Sequence, residues 1–193
     1  IKSVEIEIGG QRIDKHYGDW LHVWNELSQT AGHWDGYRSM VSGDDADLSS
    51  DDGAARTLYI PLQFWFCTNP GLALPLIALQ YHEVKVNVEF ASFSDCATGT
   101  PVAFDSATLY VDYIYLDTDE RRRFAQVTHE YLITQTQFTG DEKAQSKIKL
   151  NFNHPVKELI WVEQAPMAAV GEYTTSYTEA HLQLNGHDRT SAR

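Results

Sequence analysis

The residues most able to do chemistry are numerous here, but their spacing does not build a reaction centre. Gly43-Asp44-Asp45 has the form of a polymerase metal-binding turn, inside an acidic cluster of Asp44, Asp45, Asp47, Asp51 and Asp52. An EF-hand reading fails at two places. After Asp47, Ser49 and Asp51 the position that must turn sharply on Gly is Asp52, and no Glu closes the loop. The cluster therefore reads as a solvated acidic loop. The eight His are scattered: His181 and His187 stand six apart, and neither HExxH nor HxH occurs. Cys67 and Cys96 form no CxxC pair and no Cys/His zinc spacing, so they read as buried small hydrophobes. Gly-x-Ser-x-Gly, GxGxxG and the P-loop are all missing. Arg121-Arg122-Arg123 could grip a phosphate, but Asp117, Asp119 and Glu120 beside them favour local ion pairs. The expectation is no catalytic residue, no cofactor-binding residue, no metal ligand and no enzymatic activity.

Charge excludes further classes. With 27 acidic against 15 basic residues the formal net charge is −12. Nucleic-acid binders neutralise phosphates with clustered Lys and Arg, so direct nucleic-acid binding is not expected. Docking on an anionic membrane is disfavoured for the same reason. The longest apolar run, residues 71–79, has nine residues and contains Pro75, far short of the roughly 20 needed to span a bilayer. The 193 residues, 42% hydrophobic, are enough to bury a substantial core. The start at Ile1 and the end at Arg193 read as the limits of a piece of a longer chain.

The elements that would position these residues are mostly strands. Apolar residues alternate with polar ones at Val4, Ile6 and Ile8, at Val84, Val86, Val88 and Phe90, and at Ile148, Leu150 and Phe152. Such alternation predicts antiparallel strands with one wet and one buried face. Stretches 58–66 and 109–116 are more uniformly apolar, as in strands covered on both sides, and 130–137, 158–163 and 181–184 are further candidates. Helix is expected to be scarce. Asp19 could cap a helix carrying Trp20, Leu21, Trp24 and Leu27, and residues 117–124 could form a short helix with acids first and bases last. Segment 30–56 reads as a long loop. Many short strands with few helices indicate an all-β sandwich or barrel.

One internal echo stands out. Ile6-Glu7-Ile8-Gly9-Gly10-Gln11-Arg12 resembles Leu182-Gln183-Leu184-Asn185-Gly186-His187-Asp188-Arg189, at a distance of 176 residues between Gly10 and Gly186. It predicts two similar domains in tandem.

Longer stretches carry a family resemblance. They are Gly9-Gly10-Gln11-Arg12-Ile13-Asp14-Lys15-His16-Tyr17-Gly18-Asp19-Trp20-Leu21, Tyr59-Ile60-Pro61-Leu62-Gln63-Phe64-Trp65-Phe66-Cys67 with Asn69-Pro70-Gly71-Leu72, and Tyr113-Ile114-Tyr115-Leu116-Asp117-Thr118-Asp119-Glu120-Arg121-Arg122-Arg123-Phe124. Asn153-His154-Pro155-Val156-Lys157-Glu158-Leu159-Ile160-Trp161 and the segment at Gly186 follow in the same order. Together they resemble the major capsid proteins of nucleocytoplasmic large DNA viruses, the iridovirus, phycodnavirus and mimivirus-like group.

That resemblance implies a double jelly roll: two eight-stranded sandwiches in one subunit. Residues 1–116 would be the first jelly roll without its opening strands, 117–128 a connector, and 129–193 the start of the second without its closing strands. It also implies a homotrimer forming a pseudo-hexagonal capsomer. Neighbouring capsomers, minor capsid proteins and internal virion membrane proteins would be its partners in an icosahedral virion shell assembled in the host cytoplasm. Segments 30–56 and 93–106 would be loops at an end of the sandwich, and the helix bearing Trp20 and Trp24 would pack against it. On this reading the 193 residues alone should be marginally stable and prone to associate. The alternative from another class is a carbohydrate-binding or carbohydrate-active β-sandwich, for which aromatic abundance is the only cue.

Overall fold

The computed structural model describes residues 1–42, 57–96, 104–143, 147–163 and 177–191. Two compact units divide the chain, residues 1–138 and 139–193.

The first unit is organised on the alternating N-terminal strand. β1 (Ser3–Ile8) turns at Gly9-Gly10 into β2 (Gln11–Tyr17), and both glycines have positive φ, +60° and +82°. That conformation gives a two-residue hairpin the twist its strands need. β3 (Val84–Glu89) lies on the other side of β1, so the sheet order is β2-β1-β3, entirely antiparallel. Val4 and Ile6 are wholly buried on the inner face. The outer face is charged: Lys2 Nζ lies 2.8 Å from Glu89 and Lys85 Nζ 3.1 Å from Glu83, while Asn87 donates to Glu5.

The inner face is covered by α1 (Gly18–Ser28) and by Phe64 and Trp65 at the start of α3 (Trp65–Thr68), with α2 (Trp34–Ser42) lying between them in sequence. Val4, Ile6, Leu21, Phe64 and Trp65 form the core, with Ile8, Ile13, Leu62, Val84, Val86 and Ile133 packed around it. Further along come the short α4 (Phe93–Cys96) and α5 (Thr118–Gln126). The second unit holds a small hairpin, β4 (Gln183–Leu184) and β5 (His187–Asp188), turned at Asn185 and Gly186 with φ of +51° and +81°. The sequence echo is thus a structural one: both copies are hairpins with two positive-φ residues at the turn.

Several expectations need correction. The chain runs from β2 straight into α1, so the N-cap position falls to Tyr17. Asp19 sits inside the first turn, where it can act only on the helix dipole. The buried residues of α1 are Leu21, Val23 and Asn25. Leu27 is 61% exposed, and Trp20 and Trp24 stack on each other half-buried, with ring centres 5.6 Å apart. Segment 30–56 is not loop throughout: Ala31–His33 makes a 3-10 turn that leads into α2. The acidic cluster at Asp44 to Asp52 lies outside the described residues. Cys67 and Cys96 are both exposed rather than buried. The strands expected over 109–116, 130–137, 148–152 and 158–163 carry no ladder among the described residues, and 58–66 passes from irregular chain into α3. Alternation says which face a strand would bury, but a strand exists only where a neighbour supplies backbone partners. Helices are accordingly more prominent than expected, with α1, α2 and α5 of 11, 9 and 9 residues.

The helix expected near 117–124 forms as α5. The Asp117 side chain accepts from Glu120 N at 2.9 Å, and Glu120 Oε2 accepts from Asp117 N, a reciprocal capping box.

Candidate functional site

The least expected chemistry lies in β2. A two-residue turn sets Ile8 opposite Gln11, and unbroken pairing would bring Ile13 opposite Ile6 on the buried face. The register shifts instead: Glu7 pairs with Arg12, but Ile6 pairs with Asp14, leaving Ile13 as the extra residue of a β-bulge. A one-residue slip exchanges the faces. Asp14 and His16 therefore point into the core opposite Ile6 and Val4, 5% and 2% exposed, while Lys15 turns outward toward Glu5.

The two buried polar groups face one another. His16 Nε2 lies 3.0 Å from Asp14 Oδ2. Asp14 Oδ1 accepts from Lys15 N at 2.9 Å and from Thr136 N at 3.0 Å, so three N–H groups surround one carboxylate. Nε2 faces Oδ2, and Nδ1 has no hydrogen-bond partner among the described residues. Phe64, wholly buried, stacks on the His16 ring at 4.5 Å, and Tyr17 meets Phe138 at 4.9 Å. The Gln135 side chain donates to the carbonyl of Ile13. A carboxylate–imidazole pair can orient a general base. Here the ring is sealed beneath Phe64, so the geometry positions chain segments instead of presenting a base.

Other clusters are looser. An open groove of about 420 Å³ is lined by His181, Asp188, Arg189, Thr190 and Ser191, with His181 3.7 Å from Asp188 and both exposed. A second groove of about 330 Å³ lies along α5 between Glu120, Arg123, Phe124, Val127 and His129, where His129 Nε2 is 2.8 Å from Phe124 O. Of the three arginines, Arg122 lies 3.4 Å from Asp119, the local pairing expected. Desolvation raises the Cys67 thiol above its ordinary value, which disfavours a reactive thiolate. No group of three or more His, Cys, Asp or Glu gathers among the described residues. Sequence reasoning passed over Asp14 and His16 because regular alternation puts Ile13 and Tyr17 inward. The available signal was a strand of seven with only one aliphatic residue.

Comparison with known proteins places this fold among viral shell proteins. Over the whole chain and 57% of its counterpart it superposes on a quasi-atomic model of the PBCV-1 virus capsid, with a TM-score of 0.66 and 33% identity. The chain belongs to the large eukaryotic DNA virus major capsid protein family: that family's model matches residues 120–193, and a major capsid protein N-terminus model matches residues 1–117. It is 70% identical to the major capsid protein of Pyramimonas orientalis virus, covering 100% of this chain and 50% of that protein. To the major capsid protein of Paramecium bursaria Chlorella virus 1 it is 45% identical, covering 100% and 54%. Capsid protein 1 of Acanthamoeba polyphaga mimivirus is 46% identical over 91% of this chain and 33% of that protein. The chain spans about half the length of the first two relatives.

Proposed function

We propose that this chain is part of a structural subunit of an icosahedral virion shell, a double jelly roll whose three copies form a pseudo-hexagonal capsomer. The observation that carries the reading is the unbroken succession of the two capsid family models over 1–117 and 120–193. The function is then packing, without catalysis. Stability would come from repeated subunit contacts, each of roughly 2,000 Å² or more as in obligate assemblies. Exposed apolar residues support such contacts: Tyr110, Tyr115 and Trp161 are 81%, 93% and 64% exposed. Singly these mean little, but Leu109, Tyr110, Val111, Tyr113, Ile114 and Tyr115 are all exposed within seven residues, broken only by Asp112.

Within this reading, residues 1–116 belong to the first jelly roll, 117–128 connect, and 129–193 open the second. The capping box of α5 suits a connector, since it starts the helix without tertiary support. The grouping of 133–138 with the first unit reflects its docking on β2. Partners would be further copies, minor capsid proteins and virion membrane proteins, with assembly in the host cytoplasm. A carbohydrate-active role finds no support in relatives named for capsids. Native mass spectrometry of the full-length protein tests the proposal. Stable trimers at micromolar concentration are expected, and a spectrum dominated by monomer would overturn it.

A further inference from the structure

We propose that the Ile13 bulge and the buried Asp14–His16 pair form a docking notch that fixes residues 133–138 on the edge of β2, with Asp14 as its positioning residue. A bulge leaves its extra residue out of the ladder. The carbonyl of Ile13 is taken by the Gln135 side chain, and one residue on, the Asp14 carboxylate takes the backbone N–H of Thr136. The pairs 13 with 135, 14 with 136 and 17 with 138 advance together, so the segment follows β2 in the same direction.

Packing alone does not call for this chemistry. Opposite Val4 and Ile6, two aliphatic side chains would fill the space, and a buried polar pair is often no more stable than an apolar replacement. What the polar pair adds is direction. Asp14 Oδ1 presents an acceptor at the sheet edge, and His16, held flat by Phe64, fixes the carboxylate from the other side. Thr136 lies in the stretch matched by the second family model and β2 in the stretch matched by the first. The notch therefore ties the opening of the second region to the first hairpin, and the bulge is the device that aims it.

Hydrogen exchange read by mass spectrometry on the full-length protein tests this with two variants. Asp14→Val removes the acceptor and keeps an apolar filler. Thr136→Pro removes the N–H donor without touching β1 or β2, while also fixing its own φ and restricting Gln135. Each is expected to speed exchange in 133–138 by about tenfold; β1 should change by less than about twofold in Thr136→Pro and by more in Asp14→Val, which also leaves His16 Nε2 without its acceptor. Asp14→Asn, which keeps an oxygen acceptor, should restore most of the protection lost in Asp14→Val. Unchanged exchange over 133–138 in Thr136→Pro would overturn the proposal. So would equal loss of protection in β1 and 133–138 in that variant, because the contact would then be part of the core and not a separate latch.

Discussion

Gly9 and Gly10 turn β1 into β2 at φ of +60° and +82°, and Asn185 and Gly186 turn β4 into β5 at +51° and +81°. Beyond the turn the two hairpins diverge. The first gains a third strand and an inner cover of α1, Phe64 and Trp65, which buries Val4 and Ile6 completely. The second keeps two paired residues per strand, all exposed, with Leu184 at 51%. Turn chemistry is local and starts both hairpins equally. What lengthens a hairpin is apolar surface arriving from distant parts of the chain, and among the described residues only the first receives it.

The largest test of that contrast is removal of the cover. Phe64→Ala should destabilise the first unit by about 3–5 kcal/mol, because it empties a fully packed site against His16 and Phe66. Trp161→Ala in the second unit, 64% exposed and bonded from Nε1 to the Tyr177 hydroxyl, should cost under about 1 kcal/mol. Urea denaturation of the two variants makes the comparison. Equal costs would mean that the second unit has a core of its own.

The turns themselves come next. An alanine at Gly9 meets both an unfavourable φ and His82 Nδ1 at 2.6 Å, whereas at Gly186 nothing lies within 4 Å. Gly186→Ala should cost about 1–2 kcal/mol for the left-handed backbone alone, and Gly9→Ala more than that unless His82 swings clear. Their melting temperatures should rank accordingly. Asp117→Ala probes a third element resting on local signals. Losing the capping box should cost α5 about 1 kcal/mol, visible as faster exchange in its first turn with the β1–β2 hairpin unaffected.

The smallest effect belongs to the exposed ion pair closing β1 against β3. The hydrogen bond from Lys2, then that from Ser3, then the Lys2 charge hold the Glu89 carboxyl below its usual value; Glu89 in turn raises Lys2. Since the folded carboxyl is the stronger acid, its contribution is full above the ordinary value of 4.5 and is lost as pH falls through the lowered one. The lysine's contribution is full below 10.5 and is lost as pH rises through its raised value. Glu89→Gln should lower neutral stability slightly and flatten the acid side of the stability profile by the same amount. A variant with the same acid slope as the wild type would show that the pair contributes nothing there.

Residue types and their order settled much of this protein. Alternation at Val4 to Ile8 and at Val84 to Val88 marked two strands that pair with each other. Gly9-Gly10 and Asn185-Gly186 marked turns, Asp117 with Glu120 marked a helix start, and the ordered motifs marked the family. Each of these signals acts within a few residues or is a matter of composition, so no partner had to be known. The tertiary structure alone decided that β2 bulges at Ile13 and so buries Asp14 and His16, that Asn25 and not Leu27 faces the core, and that Phe64 and Trp65 leave a strand-like run to cover the sheet. It also left 109–116 without a ladder among the described residues, despite its β-prone side chains. The physical reason is common to all four. Which face is buried and whether a strand pairs depend on atoms supplied from far along the chain, and no pattern within one segment records where those atoms come to rest.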